Sequence, residues 1–274
     1  MSIPLVQQIR VGSYIIKQRI LARAKYPLVL MLEPLFRCNL ACPGCGKIDY
    51  EDAILNRRLS VEECLSAVDE CGAPVVSIPG GEPLIHKDIT EIINGIVARN
   101  KFVYLCTNVL LLEKKLTLFK PTPYLTFSVH LDGLQEHHDK AVNQTGTFKK
   151  AVAAIREAKR RGFRVNVNCT LFDQMNADES AEFFDFCMDD LGVEGIALPR
   201  PMGAHDIGMH AVEQTRKGMA EEKKVVEEAQ RAEHDDGHEI HGRKHVRETQ
   251  PRRPLRSGGH ALVAHQTRQQ HHEI

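Results

Sequence analysis

Net charge is missing from this chain: its 36 Lys and Arg are matched by 36 Asp and Glu. That balance gives no global attraction to polyanions, so no nucleic-acid partner is expected. No run of about 18 uncharged apolar residues occurs, which excludes an evident membrane-spanning helix. The first apolar stretch carries charges throughout and lacks a signal-peptide cleavage pattern. The eight cysteines, at 38, 42, 45, 64, 71, 106, 169 and 187, therefore point to a reducing cytoplasm, where unpaired thiols persist. Also missing is any second Cys-x2-Cys pair, which counts against a four-ligand structural zinc site.

Aromatic residues are missing from one part of the chain only. All ten Phe, all five Tyr and all eight Cys lie at or before Cys187, whereas ten of the fourteen His lie within 197–274. A segment of that composition cannot bury enough apolar surface to offset chain entropy. Residues 197–274 therefore read as a low-order, His-rich tail, with one charged helix expected near 211–232. An out-of-frame reading or a truncated gene would produce such a shift. The spacing His234-x3-His238-x2-His241-x3-His245 suggests metal, but the segment lacks the packing that orients ligands.

Before that break, strand and helix patterns alternate. Strands are expected at 28–35, 74–79, 102–107, 124–131, 163–171 and 193–198. Helices are expected at 60–71, 88–99, 110–119, 147–161 and 178–190. Ser60-x-x-Glu63 is a capping box, and Gly72, Gly162 and Gly192 close helices. Six such units joined by right-handed crossovers predict an α/β fold, a partial (β/α)6 barrel of parallel strands over 28–196. Its chemistry belongs at the carboxyl ends of the strands.

What the chain does have is Cys38-Asn39-Leu40-Ala41-Cys42-Pro43-Gly44-Cys45, three cysteines spaced C-x3-C-x2-C just after the first strand. Soft thiolates select iron–sulfur clusters or zinc, and three of them leave one iron of a 4Fe–4S cubane open. Gly80-Gly81-Glu82-Pro83 follows the second strand. Paired glycines let backbone approach closely, and the carboxylate can receive an ammonium group.

Period-two alternation turns Tyr104, Cys106 and Asn108 inward, with Ser128, His130 and Asp132, and with Asn166, Asn168 and Thr170. These sets either bond one another as plugs or bind a ligand. Cys64, Cys71 and Cys187 read as core, and Cys169 faces the helix layer. Cys106 alone reaches the lumen. At the N-terminus, Leu5, Ile9, Ile16 and Ile20 cluster on one helical face. Residues 1–32 hold Arg10, Lys17, Arg19, Arg23 and Lys25 and no acid. Residues 1–27 thus form a basic amphipathic helix that either lies on a membrane surface or docks on the barrel bottom.

The Cys loop and the Gly-Gly-Glu-Pro strand end, in that order, resemble the radical S-adenosylmethionine (SAM) enzymes. With Ser128-Val129-His130-Leu131-Asp132-Gly133, residues 1 to 196 resemble the adenosyl-hopene transferases (adenosylhopane synthases) of hopanoid biosynthesis. The resemblance implies that Cys38, Cys42 and Cys45 bind the cluster and that SAM chelates its open iron. Gly80, Gly81 and Glu82 would hold the methionine end, with Thr107, Asn108, Ser128 and His130 as further contacts. It implies addition of the 5′-deoxyadenosyl radical to the alkene of diploptene, a triterpene lipid; the carbon radical left behind needs a hydrogen atom, and Cys106, the thiol that alternation turns into the lumen, is the expected donor. An electron donor such as flavodoxin or ferredoxin is implied, as is a cytoplasmic chain peripheral on the inner face of the membrane. Two departures stand out: Gly44 replaces an aromatic residue usual before the third Cys, and the usual aromatic- and Cys-containing continuation is absent. The first implies that the adenine contact comes from elsewhere, and the second implies an impaired enzyme. Alternative expectations are a radical SAM peptide- or cofactor-modifying enzyme, or an inactive iron–sulfur binding protein.

Overall fold

Short β-branched runs separated by capped amphipathic helices build the molecule, as seen in a computed structural model. It describes residues 3–43, 45, 50–171, 175–199 and 209–212. Helix α1 (Leu5–Ile20) precedes strand β1 (Val29–Met31). A short helix α2 (Asp52–Leu55) leads to α3 (Val61–Cys71), and β2 (Val75–Ile78) to α4 (Ile89–Ala98). Then come β3 (Phe102–Thr107), α5 (Leu112–Lys115), β4 (Leu125–His130), α6 (Gln135–Ala141) and α7 (Thr147–Arg160). Strand β5 (Arg164–Asn168), α8 (Ala177–Asp185), β6 (Ile196–Pro199) and β7 (Met209–Val212) complete the described chain.

The first six strands pair in sequence order and run parallel, forming the expected curled half-barrel. Strand β7 closes the edge antiparallel to β6, with Ile196 opposite Val212. Residues 211 and 212 are therefore strand where the charged helix at 211–232 was expected. The rest of that helix and the His234–His245 series lie outside the described residues.

The helix-facing side of the sheet is apolar, and the helices return apolar stripes to it. Val76, Ile78, Leu105, Phe127, Val129, Val165 and Val167 are all buried. The Phe127 ring meets Phe119 at 5.6 Å and Phe163 at 5.2 Å between centroids, both edge-on. Such pairs add about 0.5–1.5 kcal/mol beyond the burial of area. Cys64, Cys169 and Cys187 lie in this core as expected. The capping box of α3 is formed, with Glu63 N bonding Ser60 Oγ at 3.1 Å and Gly72 left-handed at the other end.

Helix α1 crosses the amino-terminal ends of the strands. Tyr14 donates to the Pro27 carbonyl at 2.8 Å, and the Arg10 guanidinium lies 5.8 Å from the centre of the Tyr124 ring. Both partners directly precede strands, so α1 sits on the barrel bottom, opposite the ends that carry the Cys loop.

Candidate cofactor site

The carboxyl ends of β1, β2 and β3 meet within a few residues of one another. Loop residues 35–37 after β1 run against Gly80 and Gly81 after β2. Gly81 N donates to the Leu35 carbonyl at 3.3 Å, and Glu82 N to that of Arg37 at 2.9 Å. A Cβ on Gly80 would sit 2.5 Å from the Leu35 oxygen, and one on Gly81 would collide with the carbonyls of Phe36 and Arg37. Gly80 also has φ +134°, a conformation L side chains rarely adopt. The two glycines thus set the Cys loop directly on the end of β2, a positioning role that alternation and spacing alone did not show.

Glu82 is fully buried. Its carboxylate accepts from Leu84 N at 3.0 Å, Asn108 N at 2.7 Å, and the Thr107 hydroxyl at 2.9 and 3.1 Å. Burial pushes its pKa up to about 7, while the bonds from Asn108, Leu84 and Thr107 pull it down. The carboxylate therefore ties the end of β2 to the end of β3. Asn108 carries the link onward: its Nδ2 donates to Asn39 Oδ1 at 2.7 Å and to Cys38 Sγ at 3.5 Å. Val109, next in line, is held at φ +66°. For a β-branched residue that conformation is strained, and such strain concentrates where neighbouring structure over-determines the chain.

Cys38, Cys42 and Cys45 are half-buried and unpaired. Cys45 N bonds the Cys42 carbonyl at 3.1 Å, which folds the loop back on itself. Burial raises the Cys38 thiol, and burial together with Cys38 and Cys45 raises Cys42 to about 11. Thiols raised in this way bind metal by releasing protons. Among the described residues no three His, Cys, Asp or Glu side chains converge on a single ion. A cubane makes no such demand, because each cysteine binds a different iron. The donor set fits a cluster better than zinc, since three soft ligands without a fourth do not close a structural zinc site. Gly44 lies outside the described residues.

The lumen is polar, as alternation predicts. Cys106 Sγ lies 3.6 Å from Ser77 Oγ on the neighbouring strand, and Ser128 is its register partner on the other side. Burial raises the Cys106 thiol, against the bonds from Ser77 and Ser128. His130 Nε2 lies 2.7 Å from Asp132 Oδ2, and Thr170 N donates to Asp132 Oδ1 at 2.7 Å. Asp132 N in turn donates to His138 Nδ1 at 3.2 Å. His138 is driven down to about 4 by burial and by His130, so it stays neutral. The Asp132–His138 link was not anticipated, because nothing in Gln135-Glu136-His137-His138 distinguishes the buried imidazole from its half-buried neighbour. The amide oxygens of Asn166 and Asn168 are buried without a partner. Tyr104, also inward, is taken up by Gln7 of α1 and not by the upper lumen.

The model of the Radical SAM superfamily matches residues 32–187 of the 274. GTP 3',8-cyclase of Clostridium perfringens (strain 13 / Type A) is 29% identical over 174 residues, covering 61% of this chain and 54% of that protein. GTP 3',8-cyclase of Aquifex aeolicus (strain VF5) is 31% identical over 173 residues, covering 60% and 54%. The chain thus spans about half the length of the curated relatives it matches. Among solved structures, Streptococcus suis SuiB bound to S-adenosylmethionine superposes with a TM-score of 0.59 at 16% identity. That match covers 82% of this chain and 52% of SuiB. TYW1 with a lysine-pyruvate adduct gives a TM-score of 0.52 at 15% identity, covering 73% of each chain. At those identities the two structures speak for the fold alone.

These findings overturn the expected addition of an adenosyl radical to diploptene: the curated relatives are cyclases named for GTP. The lumen gives a physical reason as well: its part-exposed inward residues Asn108, His130, Asn166, Asn168 and Thr170 are polar, and a hydrocarbon seated on them would displace their water while bonding none of them.

Proposed function

The chain belongs to the radical SAM superfamily, and from that premise we propose that Cys38, Cys42 and Cys45 hold three irons of a 4Fe–4S cluster beside SAM. Members of the family bind both cofactors. When bound, and given one electron from a donor such as flavodoxin or ferredoxin, they supply a 5′-deoxyadenosyl radical. The chain supplies position. Gly80 and Gly81 seat the Cys loop beside the place where the methionine end would lie, and Glu82, bonded to Thr107 and Asn108, braces it there. Ser128 and His130 line the wall beyond, where Asp132 fixes the imidazole. Cys106, its thiol kept protonated by burial, is the residue we propose as hydrogen-atom donor to a carbon radical in the lumen, its thiyl radical then being reduced by one electron and one proton from the same electron donor.

The substrate we infer is polar, and the nucleotide named for the cyclase relatives is the first of that kind to test. The observation that carries the reading is the direct seating of the Cys loop on Gly80–Glu82. Anaerobically reconstituted protein, dithionite, SAM and GTP deuterated at ribose C3′ provide the experiment. Deuterium in the released 5′-deoxyadenosine supports the reading. Unlabelled 5′-deoxyadenosine with intact GTP excludes that nucleotide, and no 5′-deoxyadenosine at all excludes the chemistry. The membrane contact expected of residues 1–27 is a separate proposal, independent of this chemistry.

A further inference from the structure

Helix α1 docks with the wrong face for an ordinary core helix. Its buried residues are Gln7 and Gln18. Gln7 Nε2 donates to the Tyr104 hydroxyl at 3.0 Å, and Gln18 accepts from Arg23 at 3.3 Å. The apolar stripe faces outward: Leu5, Ile9, Ile16 and Ile20 are 69, 58, 59 and 79% exposed. Ile3 and Leu21, which flank the helix, are exposed as well. One-sided apolar exposure on this scale marks an interaction surface.

We propose that α1 lies in the headgroup region of an anionic membrane, with the cofactor mouth turned away from the lipid. Charge selects this occupant. At about 100° per residue, Arg19 flanks the stripe on one side and Lys17 on the other. Arg23 and Lys25 follow, and residues 1–32 contain no acid. An apolar stripe edged by cations is the pattern of an interfacial helix, whose binding adds buried area to attraction for anionic lipid. A second copy packed stripe to stripe would offer these cations no acid on its own helix, since residues 1–32 contain none. The orientation follows from the docking, since Pro27, Asn100 and Tyr124, which hold α1, all precede strands. The helix therefore acts as a tether, and lipid does not enter the lumen along this face.

Co-sedimentation of the full chain with vesicles provides the test. Vesicles of phosphatidylglycerol and phosphatidylcholine should take up the protein, and vesicles of phosphatidylcholine alone should take up about tenfold less. Ile9→Ser, Ile16→Ser and Ile20→Ser combined should weaken partition by about tenfold or more at unchanged thermal midpoint. Lys17→Glu with Arg19→Glu, which leaves the stripe intact, should abolish the lipid-charge preference. Absence of binding to the anionic vesicles, or binding unchanged in the triple variant, overturns the proposal. So does a dimer by light scattering that the triple variant converts to monomer with no vesicle binding in either.

Discussion

The two ends of the barrel solve opposite problems with the same kind of residue. At the carboxyl end, polar side chains converge and are tied together: Glu82 to Thr107 and Asn108, Asn108 to Asn39 and Cys38. At the amino end, α1 buries Gln7 and Gln18 while the stripe of Leu5, Ile9, Ile16 and Ile20 faces out. The first end ties down the loop that bears the three cysteines. The second closes the lumen with a few hydrogen bonds and spends its apolar surface on something outside the molecule. The contrast teaches that amphipathicity alone does not say which face of a helix meets the protein. A buried hydrogen-bond partner, here Tyr104, decides it.

The comparison breaks most readily at the carboxyl end. Gly81→Ala drives a Cβ into two backbone carbonyls, neither of which can swing aside as a side chain could. It should cost about 3 kcal/mol or more, read from urea unfolding, and lower iron incorporation with it. The pH dependence of Glu82 is the next largest effect. Its folded pKa, about 7, lies above that of the unfolded carboxyl, so the native state holds the extra proton between about 4.5 and 7. Stability should therefore fall as pH rises through that window. Glu82→Gln should flatten that slope, and an unchanged slope would show that another group carries it.

Smaller effects sharpen the contrast at the amino end. Gln7→Ala removes the donor to Tyr104 and should cost about 1 kcal/mol in urea unfolding. Ile16→Ser, although it replaces a larger apolar side chain, should change stability by less than about 0.5 kcal/mol because the side chain is exposed. A helix docked by its apolar stripe would give the reverse order.

Much of the fold was legible because local signals agreed with one another. The Ser60 capping box, the strand-length apolar runs and the glycines after helices fixed six parallel units in order, and the strands confirm them. Helix α6 was missed because Gln135–Ala141 has no apolar period; its one buried side chain is His138. The expected helix at 110–119 is cut to Leu112–Lys115 and continues as a 3-10 turn over Leu116–Leu118. Within the site, the cysteines and glycines were readable from type and spacing. The consumption of the Glu82 carboxylate by residues some 25 positions later was not, since only the pairing of β2 with β3 brings them together. The stripe on α1 was visible in the period, but its outward direction depends on contacts with β3.

One measurement bears most directly on the central claim that the carboxyl end carries a cluster and SAM. Wild-type chain and its Cys42→Ala variant are reconstituted with iron and sulfide under anaerobic conditions, and 5′-deoxyadenosine is then measured after adding SAM and dithionite. The account predicts about four irons and steady 5′-deoxyadenosine release for the wild type. It predicts loss of the cluster absorbance and of product for Cys42→Ala. Equal iron content in the two chains, or a fully loaded wild type that leaves SAM intact, would contradict it.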